Sequence, residues 1–119
     1  MTDLAHQDCV PCRKGVPPLS AEEIALHLPN LPGWQVQELD AVPRLVRVFR
    51  FKNYLEGLAF ANHIGAIADQ QDHHPSLLIE WGHVTVSWYT HSIGGLHWND
   101  LIMAARTDQL YQSQKSAHS

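Results

Sequence analysis

Two neighbouring stretches of the sequence decide the fold, NYLEGLAFANHIGAIADQQ at residues 53–71 and LLIEWGHVTVSWYT at residues 77–90. The first stretch places apolar residues at the spacing of one helix face, namely Phe60, Ala61, Ile64, Ile67 and Ala68. Asn53, with Glu56 three residues later, is typical of a helix N-terminus. This stretch therefore predicts a long amphipathic helix that fades near Gln71.

The second stretch predicts a β-hairpin that turns near Gly82, with strands at 77–81 and 83–90. In its second strand one face is apolar, with Val84, Val86 and Trp88, and the other face is polar. A second hairpin is predicted upstream, with strands at 34–39 and 45–51 joined by a turn from Asp40 to Pro43.

A short helix precedes the first hairpin and another helix ends the domain. Ser20 and Glu23 form a capping box for a helix that runs to about Leu28. Gly94 and Gly95 break the last strand, and a helix is expected from Asp100 to about Tyr111. The order α-β-β-α-β-β-α predicts an α+β fold, a two-layer sandwich with a four-stranded antiparallel sheet and three helices on one face.

The sequence divides into a flexible N-terminal arm at 1–18, a single α+β domain at 19–112 and a frayed tail at 113–119. The uncovered sheet face is expected to be polar, and self-association along an edge strand is one way to protect the sheet edges. There is no apolar run long enough for a transmembrane helix, and the first residues lack the features of a secretory signal.

The histidine content of the chain is unusually high. The chain of 119 residues has 9 His against 8 Lys+Arg and 12 Asp+Glu, which gives a net charge of −4 with His neutral. An acidic chain is a poor candidate for binding a nucleic acid backbone, so no nucleic acid partner is expected. Histidine titrates near physiological pH, so the excess directs attention to proton chemistry.

Cys9 and Cys12 are the only cysteines, and three interpretations of the pair exist. Free thiols in a flexible arm are favoured, in a protein of the reducing cytoplasm. A metal site with His6 would have three ligands, whereas structural zinc normally needs four. A redox motif should follow a strand and open a helix, and here a Pro-containing segment follows.

His73, His74, His91 and Asp100 are the candidate site residues, because each is predicted at the end of an element. Three interpretations stay open: a zinc or iron site, general acid–base catalysis without a metal, and a purely structural cluster. Against a metal, neighbouring histidines on an extended loop point apart and the spacing matches no zinc motif. Four other histidines are expected to be surface or boundary residues, namely His27, His63, His83 and His118.

The run from Asp69 to Pro75, followed at fixed spacings by Trp81, His91 and Asp100, resembles the signature of the pterin-4a-carbinolamine dehydratases. The resemblance extends from about residue 20 to residue 110 and includes Leu-Pro-x-Trp at 31–34. It implies an enzyme, a hydro-lyase that dehydrates 4a-hydroxytetrahydropterin to quinonoid dihydropterin in pterin recycling after aromatic amino-acid hydroxylation. Some relatives of this family act instead as non-catalytic regulatory or dimerisation partners of transcription factors.

The resemblance also implies roles for individual residues. The catalytic residues would be His73, His74 and His91, and the substrate-binding residues Asp69, Trp81, Thr90 and Asp100. Among these, His73 and His91 would protonate the leaving hydroxyl, His74 would hold or deprotonate the pterin, and Asp100 would orient an imidazole. No metal and no cofactor are implied. The expected partners are the small-molecule pterin, further copies of the chain in a homodimer or homotetramer, and an aromatic amino-acid hydroxylase as metabolic partner.

The sequence departs from the family pattern at His97. The family commonly has Thr or Ser three residues before the Asp, and these residues cap helix N-termini well. A weaker cap is therefore expected for the last helix, by about 1 kcal/mol at most.

Overall fold

A computed structural model describes residues 4–9 and 17–117, without the side chains of His91, Ser116 and Ala117. The helices are α1 (Ala21–His27), α2 (Tyr54–Gln71) and α3 (Trp98–Ala117). The strands are β1 (Gln35–Leu39), β2 (Val42–Arg50), β3 (Ser76–Glu80) and β4 (His83–Trp88). Short 3-10 turns lie at Leu4–His6, Leu28–Asn30 and His91–Ile93. The predicted α+β class and the predicted element order are confirmed.

The four strands form one antiparallel sheet in the order β1-β2-β4-β3. The central pair aligns Leu45 with Trp88 and Phe49 with Val84, so apolar side chains of both strands share the face that α2 and α3 cover. The predicted helix stripe also enters this core, with Phe60 and Ile64 fully buried. The core therefore lies between one sheet face and the helices, as the alternating and helical periods predict.

Both predicted helix starts are present. Ser20 Oγ accepts from the Glu23 N–H, and Glu23 Oε1 accepts from the Ser20 N–H, which completes the capping box of α1. Asn53 Oδ1 accepts from the Glu56 N–H at 2.9 Å at the start of α2. Local side-chain chemistry thus decides where these two helices begin.

The first hairpin turns more tightly than expected. Asp40 and Ala41 both have positive φ, 53° and 65°, as a two-residue turn of type I′ requires, and β2 already begins at Val42. Pro43 therefore lies in the strand and not in the turn. It is tolerated because it faces Glu38 of the edge strand β1, while pairing of β2 with β4 begins only at Leu45.

The second hairpin is shorter than predicted, and its open face is less polar. Gly82, with φ 84°, forms the turn together with Trp81, and β4 ends at Trp88, two residues before Thr90. The open face of the sheet exposes Val48 and Leu78, which flank the central strand β4. The alternation in β4 alone predicts a polar face. The neighbouring strands β2 and β3 place apolar side chains on the same side, so the face as a whole is less polar.

Described segments near both chain ends pack against the rest of the domain. Leu4 is buried in the core, and Leu4–His6 packs against α3. The last helix starts two residues earlier than predicted and continues to Ala117, because buried Gln114 donates to the Glu56 carbonyl on α2 at 2.8 Å. The boundaries at residues 18 and 112 stay a prediction. None of the helices in the described ranges combines the length and hydropathy needed to cross a membrane.

Candidate active site

The end of α2 sets the position of His73. Asp72 adopts a left-handed conformation with φ 51°, and its N–H is directed at the carbonyls of Ala68 and Asp69. The N–H of His73 also donates to the Ala68 carbonyl, at 3.1 Å. Such a helix C-terminus satisfies the last carbonyls while it reverses the chain direction. The sharp turn brings the His73 ring against the sheet layer.

His73 is enclosed by an acid and an aromatic ring. Its Nε2 lies 2.5 Å from Oδ1 of Asp100, and its ring stacks on Trp88 with the centroids 5.8 Å apart and the planes 9° from parallel. The side chain of His73 is 10% exposed and that of Asp100 is fully buried. The structure thus brings together the predicted residues His73 and Asp100.

Asp100 accepts hydrogen bonds from three groups. Oδ2 accepts from the Thr90 hydroxyl at 2.7 Å and from the His97 N–H at 2.9 Å, and Oδ1 faces His73. Both carboxylate oxygens are acceptors, so all three contacts are satisfied when the partner groups donate. His73 then donates through Nε2–H, and Nδ1 stays available for proton transfer, since Nε2 makes the only hydrogen bond of this ring within the described residues.

His97 caps α3 in the place of the Thr or Ser of the family pattern, and that this cap is weaker stays a prediction. Its Nδ1 accepts from the Asn99 N–H at 3.0 Å, and Asp100 accepts from the N–H of His97 in return. The arrangement parallels a capping box, with imidazole in place of a hydroxyl. Burial lowers the pKa of His97, with a smaller opposing effect of Asp100, and this favours the neutral ring that can accept a hydrogen bond.

His74 points away from His73, as expected for neighbours on an extended loop. Its Nε2 lies 2.9 Å from Oδ1 of Asp69, and both side chains are largely exposed, at 58% and 84%. This pair is therefore open to a ligand from solvent, whereas the His73–Asp100 pair is mostly enclosed.

The remaining candidate residues lie in three different situations. Thr90 is buried and directs its hydroxyl at Asp100, so within the chain it supports the acid. The backbone of His91 opens the 3-10 turn that follows β4, and its side chain lies outside the described part of the chain. Trp81 is exposed at the turn between β3 and β4, about 16 Å along β3 from the end that adjoins His74. Its role in binding stays a prediction.

The described residues give little support for a metal site or for a reactive thiol. Among the described side chains, which do not include that of His91, there is no group of three His, Cys, Asp or Glu residues placed to hold a metal ion. Cys9 is a free, half-buried thiol, and burial raises its pKa to about 11, which disfavours the thiolate. Cys12 lies outside the described residues, so the pair as such stays open.

Sequence reasoning missed two partners of the site. Trp88 was assigned to the core from its place on the apolar strand face, and its contact with the His73 ring depends on the end of α2. The cap made by His97 was missed because imidazole is not among the preferred capping side chains. Its position three residues before Asp100 was the available signal.

Comparison with known proteins shows which family the chain belongs to. The family model described as "Pterin 4 alpha carbinolamine dehydratase" matches residues 17–110. The chain belongs to this family. A relative in Microcystis aeruginosa, named "Putative pterin-4-alpha-carbinolamine dehydratase", is 48% identical over 116 residues, which cover 98% of this chain and all of the relative. The resemblance noted from the His-His-Pro run is thereby confirmed.

Two solved structures share the fold. The crystal structure of a transcriptional coactivator/pterin dehydratase from Brucella melitensis matches with a TM-score of 0.71 and 29% identity, over 79% of this chain and 98% of that one. A pterin dehydratase-like protein identified as a RuBisCO assembly factor in the alpha-carboxysome matches with a TM-score of 0.55 and 22% identity, over 66% and 89%. The second likeness concerns the fold alone.

Proposed function

We propose that this protein dehydrates 4a-hydroxytetrahydropterin to quinonoid dihydropterin by proton transfer through histidine side chains. One observation carries the proposal: the Nε2 of His73 is held by a buried carboxylate, while its Nδ1 makes no hydrogen bond within the described residues. An imidazole with a fixed tautomer and one available nitrogen is suited to general acid–base catalysis. Membership of the dehydratase family supports the same reaction.

The reaction requires two proton transfers and no change of oxidation state. The C4a–O bond breaks, the hydroxyl leaves with an added proton as water, and a ring nitrogen of the pterin loses a proton. Protonated Nδ1 of His73 would supply the proton to the hydroxyl, and Asp100 would stabilise the positive charge of that imidazolium. Such general acid–base steps contribute about 10²–10⁴-fold to a rate.

The other site residues receive roles on the same scheme. His91 assists at the leaving hydroxyl, and His74 holds or deprotonates the pterin, since its exposed ring is open to a ligand. Asp69, which contacts His74, lines the pterin site. For Trp81, at the far end of β3, a binding role rests on the family resemblance alone. Asp100 and Thr90 act on His73 in place of direct substrate contact, because both are buried and bonded to each other.

The decisive experiment is a dehydration assay with freshly generated 4a-hydroxytetrahydropterin, with metal analysis of the same sample. We expect the protein to accelerate loss of water well above the uncatalysed rate, with no stoichiometric metal and no effect of a chelator. A rate equal to the uncatalysed one would contradict the proposal. Bound metal together with loss of activity on chelation would instead favour a metal-dependent hydrolase.

A second candidate function is a non-catalytic regulatory or dimerisation partner on the same scaffold. The exposed edge strand β1 and the apolar side chains Val48 and Leu78 on the open sheet face favour it. The Brucella melitensis relative is described as a coactivator as well as a dehydratase. Loss of a protein partner in Val48→Asp, with dehydration unchanged, would separate the two functions.

We propose a homodimer or homotetramer in the cytoplasm, with an aromatic amino-acid hydroxylase as metabolic partner. The exposed β1 edge is a surface that a second copy could extend. Light scattering at micromolar concentration gives the mass in solution, and a monomer would contradict the oligomer. Coupled assays with a hydroxylase test whether recycling accelerates when this protein is added.

A further inference from the structure

The N-terminal segment Leu4–Cys9 is anchored on α3. Leu4 is buried in the core. The Gln7 carbonyl accepts from Nε and Nη2 of Arg106 at 3.1 and 2.6 Å, and its side-chain oxygen accepts from Nε1 of Trp98 at 2.8 Å. These bonds cross more than 90 positions of sequence, so the segment belongs to the tertiary structure.

The same segment is also bonded to the last residue of α2. Gln71 Oε1 accepts from the Cys9 N–H at 2.7 Å, and Gln71 Nε2 donates to Oδ1 of Asp8 at 3.2 Å. Asp8 also pairs with Nη2 of Arg106 at 3.0 Å. One amide side chain therefore uses both its acceptor and its donor to hold the segment.

The two anchor points adjoin the two residues of the candidate catalytic pair. Gln71 lies two positions before His73, and Trp98 lies two positions before Asp100. The Cys9 thiol is 4.0 Å from the carbonyl of Asn99, the residue next to Asp100. The segment thus spans the end of α2 and the start of α3, where the 2.5 Å bond between His73 and Asp100 is made.

We propose that Leu4–Cys9 is a built-in support of the active site and that Gln71 is the positioning residue through which it fixes the His73–Asp100 geometry. The inference rests on the proposed function. Catalytic groups must be held within about 0.5 Å of the productive arrangement by contacts beyond the reacting groups themselves. Two helix ends joined by one side-chain bond can shift against each other, and a segment bonded to both ends opposes that shift.

The test compares variants of the full-length chain. Gln71→Ala removes both bonds to the segment, and Gln70→Ala is the matched control, since Gln70 is an exposed neighbour on the same helix. The double variant Asp8→Asn with Gln71→Glu exchanges donor and acceptor, so that both bonds of residue 71 and the net charge are retained, whereas the ion pair of Asp8 with Arg106 is lost. Trp98→Phe removes the indole donor to Gln7. It is the second test variant, to be used if Gln71→Ala does not fold.

We expect Gln71→Ala to lower kcat by about 10- to 100-fold with KM nearly unchanged. The NMR pH titration of the His73 ring should shift in the same variant. Gln70→Ala should match the wild type in both measurements, and the exchanged pair should recover part of kcat and of the titration, because it restores the bonds of residue 71 but not the ion pair of Asp8 with Arg106. Unchanged kcat and His73 titration in Gln71→Ala or, if it is unfolded, in Trp98→Phe would overturn the inference.

The His73 titration separates this inference from the proposed function. If the wild type shows no dehydration, the proposed reaction fails, and the titration alone decides whether the segment positions His73. If the His73 titration shifts in Gln71→Ala and returns towards the wild type in the exchanged pair, the segment positions His73 even though the proposed reaction does not occur. A normal dehydration rate in the wild type, together with an unchanged kcat and an unshifted His73 titration in Gln71→Ala, would overturn the inference and leave the reaction intact.

Discussion

Nε2 of His73 and Oδ1 of Asp100 lie 2.5 Å apart, and their contact joins the loop after α2 to the first turn of α3. Asp100 has no exposed surface and accepts two further hydrogen bonds, from Thr90 and from the backbone of His97. The carboxylate is therefore held from three directions, which fixes the tautomer and the direction of the imidazole. This relationship is the basis of the predictions on activity.

Removal of either member of the pair should abolish most of the activity. We expect His73→Ala to lower kcat/KM for dehydration by about 10²–10⁴-fold, the usual contribution of a general acid or base. Asp100→Asn should cause a loss in the same range, because an amide leaves at least one of the three donors without an acceptor. Rate assays on folded variants check both results.

The matched control for these variants is His63→Ala, because His63 is an exposed histidine on α2. It should retain the wild-type rate. The variant with His73, His74 and His91 all replaced by Ala should be inactive, and full activity in it would refute the assignment of the catalytic residues.

His97 should stabilise α3 only in its neutral form. His97→Ala should lower the free energy of unfolding by about 1 kcal/mol, and His97→Ser should restore most of that loss, because a hydroxyl is an effective cap. Burial lowers the pKa of His97 below its ordinary value of 6.5, so the unfolded chain binds the proton more readily than the folded one. The contribution of His97 to the free energy of unfolding is therefore complete above pH 6.5, the ordinary pKa, and is lost as the pH falls through the lowered pKa of the folded chain.

Urea unfolding of the wild type and His97→Ser at about pH 7.5 and about pH 5 measures this effect. The wild type should lose stability relative to the serine variant at the lower pH. An equal difference at both pH values would contradict the role of His97 as a neutral cap.

The hydroxyl of Thr107 should matter more than its methyl group. Thr107 is fully buried, accepts from Nε1 of Trp88 at 3.0 Å and donates to the Met103 carbonyl at 2.7 Å. Thr107→Val leaves the buried indole N–H without a partner and should cost about 1–3 kcal/mol. Thr107→Ser keeps the hydroxyl and loses one methyl group, which costs about 1 kcal/mol. Denaturant unfolding should show the valine variant to be less stable, and the reverse order would refute this role.

The contribution of Asp108 to the free energy of unfolding should increase as the pH falls. Burial raises its pKa above the ordinary 3.8, although Nε1 of Trp34 at 2.9 Å and the Arg47 guanidinium at 2.7 Å oppose the rise. The folded chain then binds the proton more readily than the unfolded chain, so this contribution to the free energy of unfolding increases towards acid.

The comparison for this effect is Asp108→Asn, which does not titrate at this position. The wild type should gain stability relative to that variant as the pH is lowered from neutrality through the raised pKa. Glu38→Gln, which changes an exposed side chain on β1, is the control and should show no such trend. A relative loss of wild-type stability towards acid would mean that the ion pair with Arg47 outweighs the cost of burial.

Local chemistry made most of the fold predictable. The caps at Ser20 and Asn53 and the apolar stripe of α2 are short-range patterns, and each appears in the structure where the sequence predicts it. The predictions that were wrong concern features that depend on contacts between residues far apart in the sequence. Helix α3 continues to Ala117 because Gln114 bonds to α2, and Pro43 is tolerated in β2 because of where the pairing with β4 begins.

The sequence by itself determined the element order, the starts of α1 and α2, and the spacing of the His-His-Pro run, Trp81, His91 and Asp100 that identifies the family. These features depend on side-chain period and local hydrogen bonding, which act within a few residues. Only the tertiary structure decided that His73 meets Asp100 while His74 faces solvent, that Trp88 stacks on the His73 ring, and that the N-terminal segment joins Gln71 to α3. Those contacts form between residues far apart in the chain, and their geometry follows from how the helices pack on the sheet.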